Sequence, residues 1–168
     1  VTPGQVSDSM PNLFAPAGLT FSIWGLIYLS LAAFSVYQFG FKKEYMQPAL
    51  LDKVRAVFVI SSLANIAWIF SWHYGNIVLS VFLMLALLLS LIFIHMTLDK
   101  ARLSKTDKVF YRLPFSLYFG WITVATVANI TALLVRAGWD RFGWSEQAWA
   151  IIILLVAMAI GTATMVIR

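Results

Sequence analysis

A chain of 168 residues that is 61% hydrophobic and only 11% charged, with a mean hydropathy of +0.86, is too apolar for a soluble domain, where about half the residues are apolar and about a quarter charged. The net charge of +5 does not mark a nucleic-acid binder, because the basic residues are confined to alternate loops between apolar stretches. Without cysteine there is neither a disulfide framework nor thiolate chemistry.

The segment 1–17 is polar and rich in proline, and it lacks the basic and apolar regions of a signal peptide. It reads as an extracytoplasmic surface loop anchored by Leu13 and Phe14, with Pro16-Ala17-Gly18 starting the first helix. Five apolar stretches follow, at Gly18–Phe39, Val54–Trp72, Ile77–Leu98, Leu113–Val135 and Ala148–Ile167. At about 1.5 Å per residue each reaches roughly 28–34 Å, against a hydrocarbon core of about 30 Å. None alternates with the period of a barrel strand, so the backbone must cross lipid as helix. The expectation is an all-α, multi-pass transmembrane bundle with five membrane-spanning helices, forming a single domain over 1–168. The chain opens without Met and closes one residue after an apolar helix, which reads as a fragment of a longer protein.

Lys42, Lys43, Lys53 and Arg55 occupy one connection, and Lys100, Arg102, Lys105, Lys108 and Arg112 another. The segments 1–17 and 73–76 carry no Lys or Arg. The positive-inside rule therefore puts loops 40–53 and 99–112 in the cytoplasm, against a mild bias from Arg136 and Arg141. The localisation expected is an integral protein of a bacterial plasma membrane. The turn His73-Tyr74-Gly75-Asn76 is so short that its two helices must be antiparallel neighbours. Trp72, Trp139, Trp144 and Trp149 map to the outer interface as belt residues.

The interiors of the spans hold no Asp, Glu, Lys or Arg, which argues against a proton pump, an ion-coupled transporter or a voltage sensor. Their polar complement is neutral. Counting about 1.5 Å per residue from the outer ends puts Trp24, Tyr28, Asn65, Trp68, Thr126 and Asn129 roughly 6–15 Å deep. Trp24/Tyr28, Asn65/Trp68 and Thr126/Asn129 are pairs at facing helical spacings. Such a level of rings and amides suits a flat, mostly apolar ligand; alternatively Asn65 and Asn129 bond across helices as packing contacts. His73 and His95 lie at opposite ends of their helices, about 28 Å apart along the normal, so they cannot share a haem iron and read as interfacial side chains. No metal-ligand cluster, nucleophilic triad or phosphate loop occurs. Leu31, Tyr37 and Lys42 fit a loose sterol-contact pattern, and Ala157, Gly161 and Thr164 make a small-residue face on the last helix.

The run Trp121-Ile-Thr-Val-Ala-Thr-Val-Ala-Asn129 resembles a helix signature of the TspO/MBR family, the tryptophan-rich sensory or translocator proteins. Pro16-Ala17-Gly18 with Phe21 and Trp24-Gly-Leu-Ile-Tyr28, and Asn65-Ile-Ala-Trp68, resemble two further family motifs in the expected order. The resemblance covers about 12–136 and leaves 148–167 as an extra helix, while the family's first helix has no counterpart. Phe21-Ser-Ile-Trp24 is one residue short of the family spacing, and Leu19 stands where a Trp is usual, as in a divergent, longer bacterial branch. The resemblance implies a helical bundle whose pocket binds porphyrins and, in some members, sterols. Trp24, Tyr28, Asn65, Trp68, Trp121, Thr126 and Asn129 would line or support it. No cofactor is required; a bound porphyrin, haem or lipid is what the family implies, with membrane lipid, a porphyrin-like or sterol-like molecule, a second copy or other membrane subunits as partners, and no nucleic acid.

Two readings of function stand side by side. One is a receptor or carrier of a porphyrin-like tetrapyrrole, for transport or sensing. The other is a structural or assembly subunit of a larger membrane complex without a small-molecule site. An enzymatic role would have to be photo-oxidative porphyrin breakdown, since the spans hold no general acid or base of suitable character.

Overall fold

The computed structural model describes residues 3–9, 13, 18–38 and 47–166, all helix, turn or irregular chain without a strand. Four helices are long and apolar enough to cross a membrane: Leu19–Tyr37, Pro48–His73, Ile77–Asp99 and Lys105–Arg136. The helix expected as the fifth span, Glu146–Val166, has 21 residues, with Glu146–Val156 as its shorter apolar part. The protein is an all-α, multi-pass membrane bundle.

A short helix α1 (Pro3–Asp8) comes first, then a 3₁₀ turn (Gly18–Ser22) that leads into α2 (Ile23–Tyr37). The leading segment is thus partly helical where a surface loop was expected. The indole of Trp72 donates to the Pro3 carbonyl at 3.1 Å, which ties α1 to the end of α3 (Pro48–His73). Phe14, Pro16, Ala17, Lys42 and Lys43 lie outside the described residues, as do the side chains of Ala157, Gly161 and Thr164.

α3 starts six residues before the apolar stretch that betrays it. Pro48 fits the first turn, where no amide hydrogen is needed, and Leu51 and Val54 are buried while Asp52 and Arg55 pair on the exposed side. At its far end Gly75 adopts a left-handed φ of 70°. The Asn76 amide reaches the Ser71 carbonyl at 2.8 Å, a glycine-dependent helix stop that reverses the chain. Asn76 then caps α4 (Ile77–Asp99) through the Leu79 amide. Arg136, at the end of α6, donates to the Gly75 carbonyl, so this turn is clamped from a third helix.

The segment expected as a polar loop at 99–112 is mostly helical. Ser104 and Asp107 form a reciprocal capping box that starts the short α5 (Lys105–Asp107). A π turn (Lys108–Arg112) follows, with the Leu113 amide bonded to the Lys108 carbonyl. The wide turn leaves room for Pro114, whose ring would otherwise clash with the carbonyl four residues back. α6 (Leu113–Arg136) continues from it, and α7 (Glu146–Val166) comes after a 3₁₀ turn at Arg141–Gly143.

In cross-section α3 packs against α4, α4 against α6, and α6 against α2, with α7 on the outside of α6. The core runs down α4 and α6: Met84, Leu87, Leu91, Ile94 and Leu98 meet Phe115, Tyr118 and Ile122. His95, expected at an interface, is buried there with Nε2 3.2 Å from the Phe115 carbonyl and its ring against Phe119. A polar side chain near a helix end can turn inward once a neighbouring carbonyl satisfies it.

Candidate functional site

Among the described residues, the seam between α2 and α3 is left ajar. Both helices rest on their other neighbours, and a cleft of about 310 Å³ opens between them. Tyr28, Leu31, Ala32 and Ser35 line it from α2, Phe58, Ser62, Asn65, Ile66 and Ile69 from α3, and Tyr118 from α6. The i, i+3/i+4 spacing on each helix presents these residues as one stripe. Tyr28, Ile66 and Ile69 remain exposed, so the cleft is open sideways, on the surface that a bilayer would cover.

Toward the Gly75 end the cleft is roofed by an aromatic cluster centred on Trp24. Its ring stacks on Tyr28 at 5.2 Å and lies 6.2 Å from Trp68, 5.9 Å from Tyr118 and 6.1 Å from Trp121. Phe21 meets Trp121 edge-on at 5.8 Å, and Trp68 stacks on Trp72 at 6.0 Å. Each such pair adds about 0.5–1.5 kcal/mol beyond area burial. The pairs bring α2, α3 and α6 to one point at one level.

The polar atoms of this region are incompletely paired. Asn65 donates through Nδ2 to the Tyr28 hydroxyl at 3.2 Å, bridging the seam. Its Oδ1, together with the indole nitrogens of Trp68 and Trp121, is buried without a partner. An unpaired buried donor or acceptor costs about 1–3 kcal/mol, and three beside one cleft point to groups that a ligand would satisfy.

Of the seven residues singled out in the sequence, the structure brings five together: Trp24, Tyr28, Asn65, Trp68 and Trp121. The other two make their hydrogen bonds away from this cluster. Thr126 donates to the carbonyl of Ile122 on its own helix at 2.7 Å. Asn129 accepts through Oδ1 from Ser80 of α4 at 3.2 Å, with its Nδ2 unpaired. Depth sets the level of a side chain but not the direction in which it faces. Tyr118, at the back of the cleft, was missed; its place one turn before Trp121 was the available signal. Trp72, expected in an interfacial belt, is buried at 6% exposure by its stacking and by the bond to Pro3, whereas Trp144 is exposed.

Among the described residues no group of three or more His, Cys, Asp or Glu could hold a metal ion. What the cleft offers is the rings of Tyr28, Phe58 and Tyr118 and the Asn65 amide acceptor, with the two unpartnered indole donors in the Trp24 cluster next to it, a set suited to binding.

Comparison with curated proteins and comparison with solved structures each gave no match. A family model described as TSPO-like protein matches residues 1–168, taking in α7 as well as the motif-bearing helices. The chain belongs to the TSPO-like family.

Proposed function

We propose that this chain is a membrane receptor or carrier for a flat, largely apolar ligand of the tetrapyrrole class, held in the α2–α3 cleft beneath the Trp24 cluster. The observation that carries the reading is the trio of buried, unpartnered atoms, Asn65 Oδ1, Trp68 Nε1 and Trp121 Nε1, beside an aromatic-walled opening. Pyrrole N–H groups suit the amide oxygen, and acceptor substituents on a macrocycle edge suit the two indoles. Trp24, Tyr28 and Tyr118 offer ring faces for stacking. A volume of about 310 Å³ lies at the low end of ligand pockets, about 300–1,000 Å³. A macrocycle would therefore keep one edge in the lipid through the open side.

Protoporphyrin added to the protein in detergent should quench tryptophan fluorescence, with saturation. A Trp24→Ala/Trp68→Ala double variant should lose most of that response. Equal, weak quenching in both proteins rejects the reading.

The basic segments put the Asp107 end in the cytoplasm and the Gly75 end outside, which places the roof toward the extracytoplasmic face. Single cysteines at Ser9, Asn76 and Arg102 test this with an impermeant maleimide. The first two should label in intact cells and the third only after lysis; the reverse pattern inverts the proposed orientation.

The assembly-subunit reading draws on Asn129, which bonds Ser80 across α4 and α6. Native mass measurement separates the two readings. A monomer or homodimer retaining a pigment favours the receptor, and a stoichiometric hetero-complex with an empty interior favours the subunit.

A further inference from the structure

A second cavity sits at the Gly75 end, in the corner between the end of α6, the Arg141–Gly143 turn and the first turns of α7. Trp139, Arg141, Glu146 and Trp149 line it over an apolar floor that includes Leu134 and Ile153. It is shallow: about 390 Å³ lies unfilled, mouth included, and about 30 Å³ of that admits the centre of a water-sized group. A macrocycle does not fit; a phosphate-sized group does. Arg141 Nε is buried there without a partner. Among the described residues the ion pairs are Arg55–Asp52 and Arg112–Asp99, so Arg141 and Glu146 bring opposite charges to one small cavity without pairing. Trp139 and Trp149 meet at 4.7 Å between ring centres and 76° between planes, a corner of two indoles. The turn that carries Arg141 is held in an unfavourable backbone conformation, with φ of 60° at Arg141 and 57° at Phe142 ahead of Gly143.

We propose that this corner binds the headgroup of a zwitterionic phospholipid. The phosphate bonds Arg141, and the ammonium sits between the Glu146 carboxylate and the indole faces. The space between two unpaired opposite charges matches a headgroup that carries both charges, phosphate and ammonium, joined by a short ethyl link. Leu134 and Ile153 meet the first acyl carbons, which distinguishes a lipid from a free phosphate ester. An anionic headgroup without an ammonium leaves the Glu146 carboxylate facing no cation, so Glu146 selects against it. The site lies outside the α2–α3 cleft and does not depend on the ligand proposed there.

The test is native mass spectrometry of delipidated protein offered an equimolar mixture of phosphatidylethanolamine and phosphatidylglycerol. Wild type should retain phosphatidylethanolamine preferentially. Arg141→Gln should lose that adduct by about tenfold, as loss of one charge-assisted contact predicts. Glu146→Gln should keep lipid but lose the preference. Glycerophosphoethanolamine and inorganic phosphate, added in excess, should displace the lipid poorly. Equal retention of both lipids by wild type overturns the proposal, and needs no variant to fold. Displacement by inorganic phosphate as effective as by lipid makes this a free-phosphate site and overturns the lipid assignment.

Discussion

Two aromatic clusters lie along the same helices, and they differ in how their polar atoms are treated. Toward the Asp107 end, Phe34 meets Phe58 at 5.3 Å, Tyr111 at 5.7 Å and Phe115 at 4.9 Å. Tyr37 stacks flat on Phe110 at 4.3 Å and donates to Asp107 at 2.9 Å, while Asp107 also accepts from Ser104. No polar side-chain atom among these rings and Asp107 is left buried and unpaired. Toward the Gly75 end, an equally dense set of rings around Trp24 leaves two indole donors and an amide oxygen without partners. Ring packing alone does not separate core from site. Polar satisfaction distinguishes these two clusters, since a buried donor that bonds nothing contributes no stability.

The comparison is broken most directly at the satisfied cluster. Phe34 is fully buried with three edge-on neighbours. Phe34→Ala should cost about 3 kcal/mol, chiefly through the cavity it leaves, read as a lower midpoint of unfolding in detergent. Porphyrin affinity per folded molecule should change little, since Phe34 reaches the cleft only through Phe58. A ligand defect without a stability loss would show that this cluster, too, is a site.

Next in size is Asp107→Ala, which removes the Tyr37 bond and half of the α5 capping box. A lost cap and a lost hydrogen bond together suggest about 1–2 kcal/mol. Asp107→Asn, which keeps an acceptor, should recover part of it. Equal losses in both variants would mean that charge, not the bond, matters at this end.

The reason these contrasts were only half legible in the sequence lies in what a bilayer removes. The levels of Trp24, Tyr28, Asn65, Trp68 and Trp121 followed from the fixed helical rise, and they do meet. Rotation about each helix axis did not follow, because lipid is as apolar as the core and an apolar span carries no stripe to orient it. Asn129, at the level expected, is bonded to Ser80 of α4 rather than turned to the Trp24 cluster. Pro48–Lys53 and Lys105–Arg112 were read as loops from their charge. Their helicity depends on buried Leu51 and Tyr111 and on the Ser104–Asp107 box, which a hydropathy window averages away.

A sharper probe of the unsatisfied cluster is Trp68→Phe, which deletes the indole N–H and keeps a ring. Removing an unpaired buried donor relieves its desolvation penalty, offsetting the smaller ring's lost contacts. Stability of the free protein should fall by well under about 3 kcal/mol, the least that deleting a buried aromatic ring outright costs. Protoporphyrin affinity should fall about fivefold, the loss of one hydrogen bond worth about 1 kcal/mol. Trp121→Phe should behave alike. A stability loss with affinity intact would return both indoles to the core.

The smallest effect separates Asn129 from the site. Ser80 has one hydroxyl proton, and it lies 2.7 Å from the Ile77 carbonyl as well as 3.2 Å from Asn129 Oδ1. The bond across α4 and α6 is thus shared and weak. Ser80→Ala should cost about 0.6 kcal/mol, the average for interhelical hydrogen bonds in membranes. Affinity for protoporphyrin should not change, because Asn129 faces α4 while the cleft lies between α2 and α3. A fall in affinity in this variant would mean that Asn129, with its unpaired Nδ2, reaches the ligand after all. The site would then extend through the bundle from the α2–α3 seam to α4, joining the two polar groups that helix rotation now holds apart.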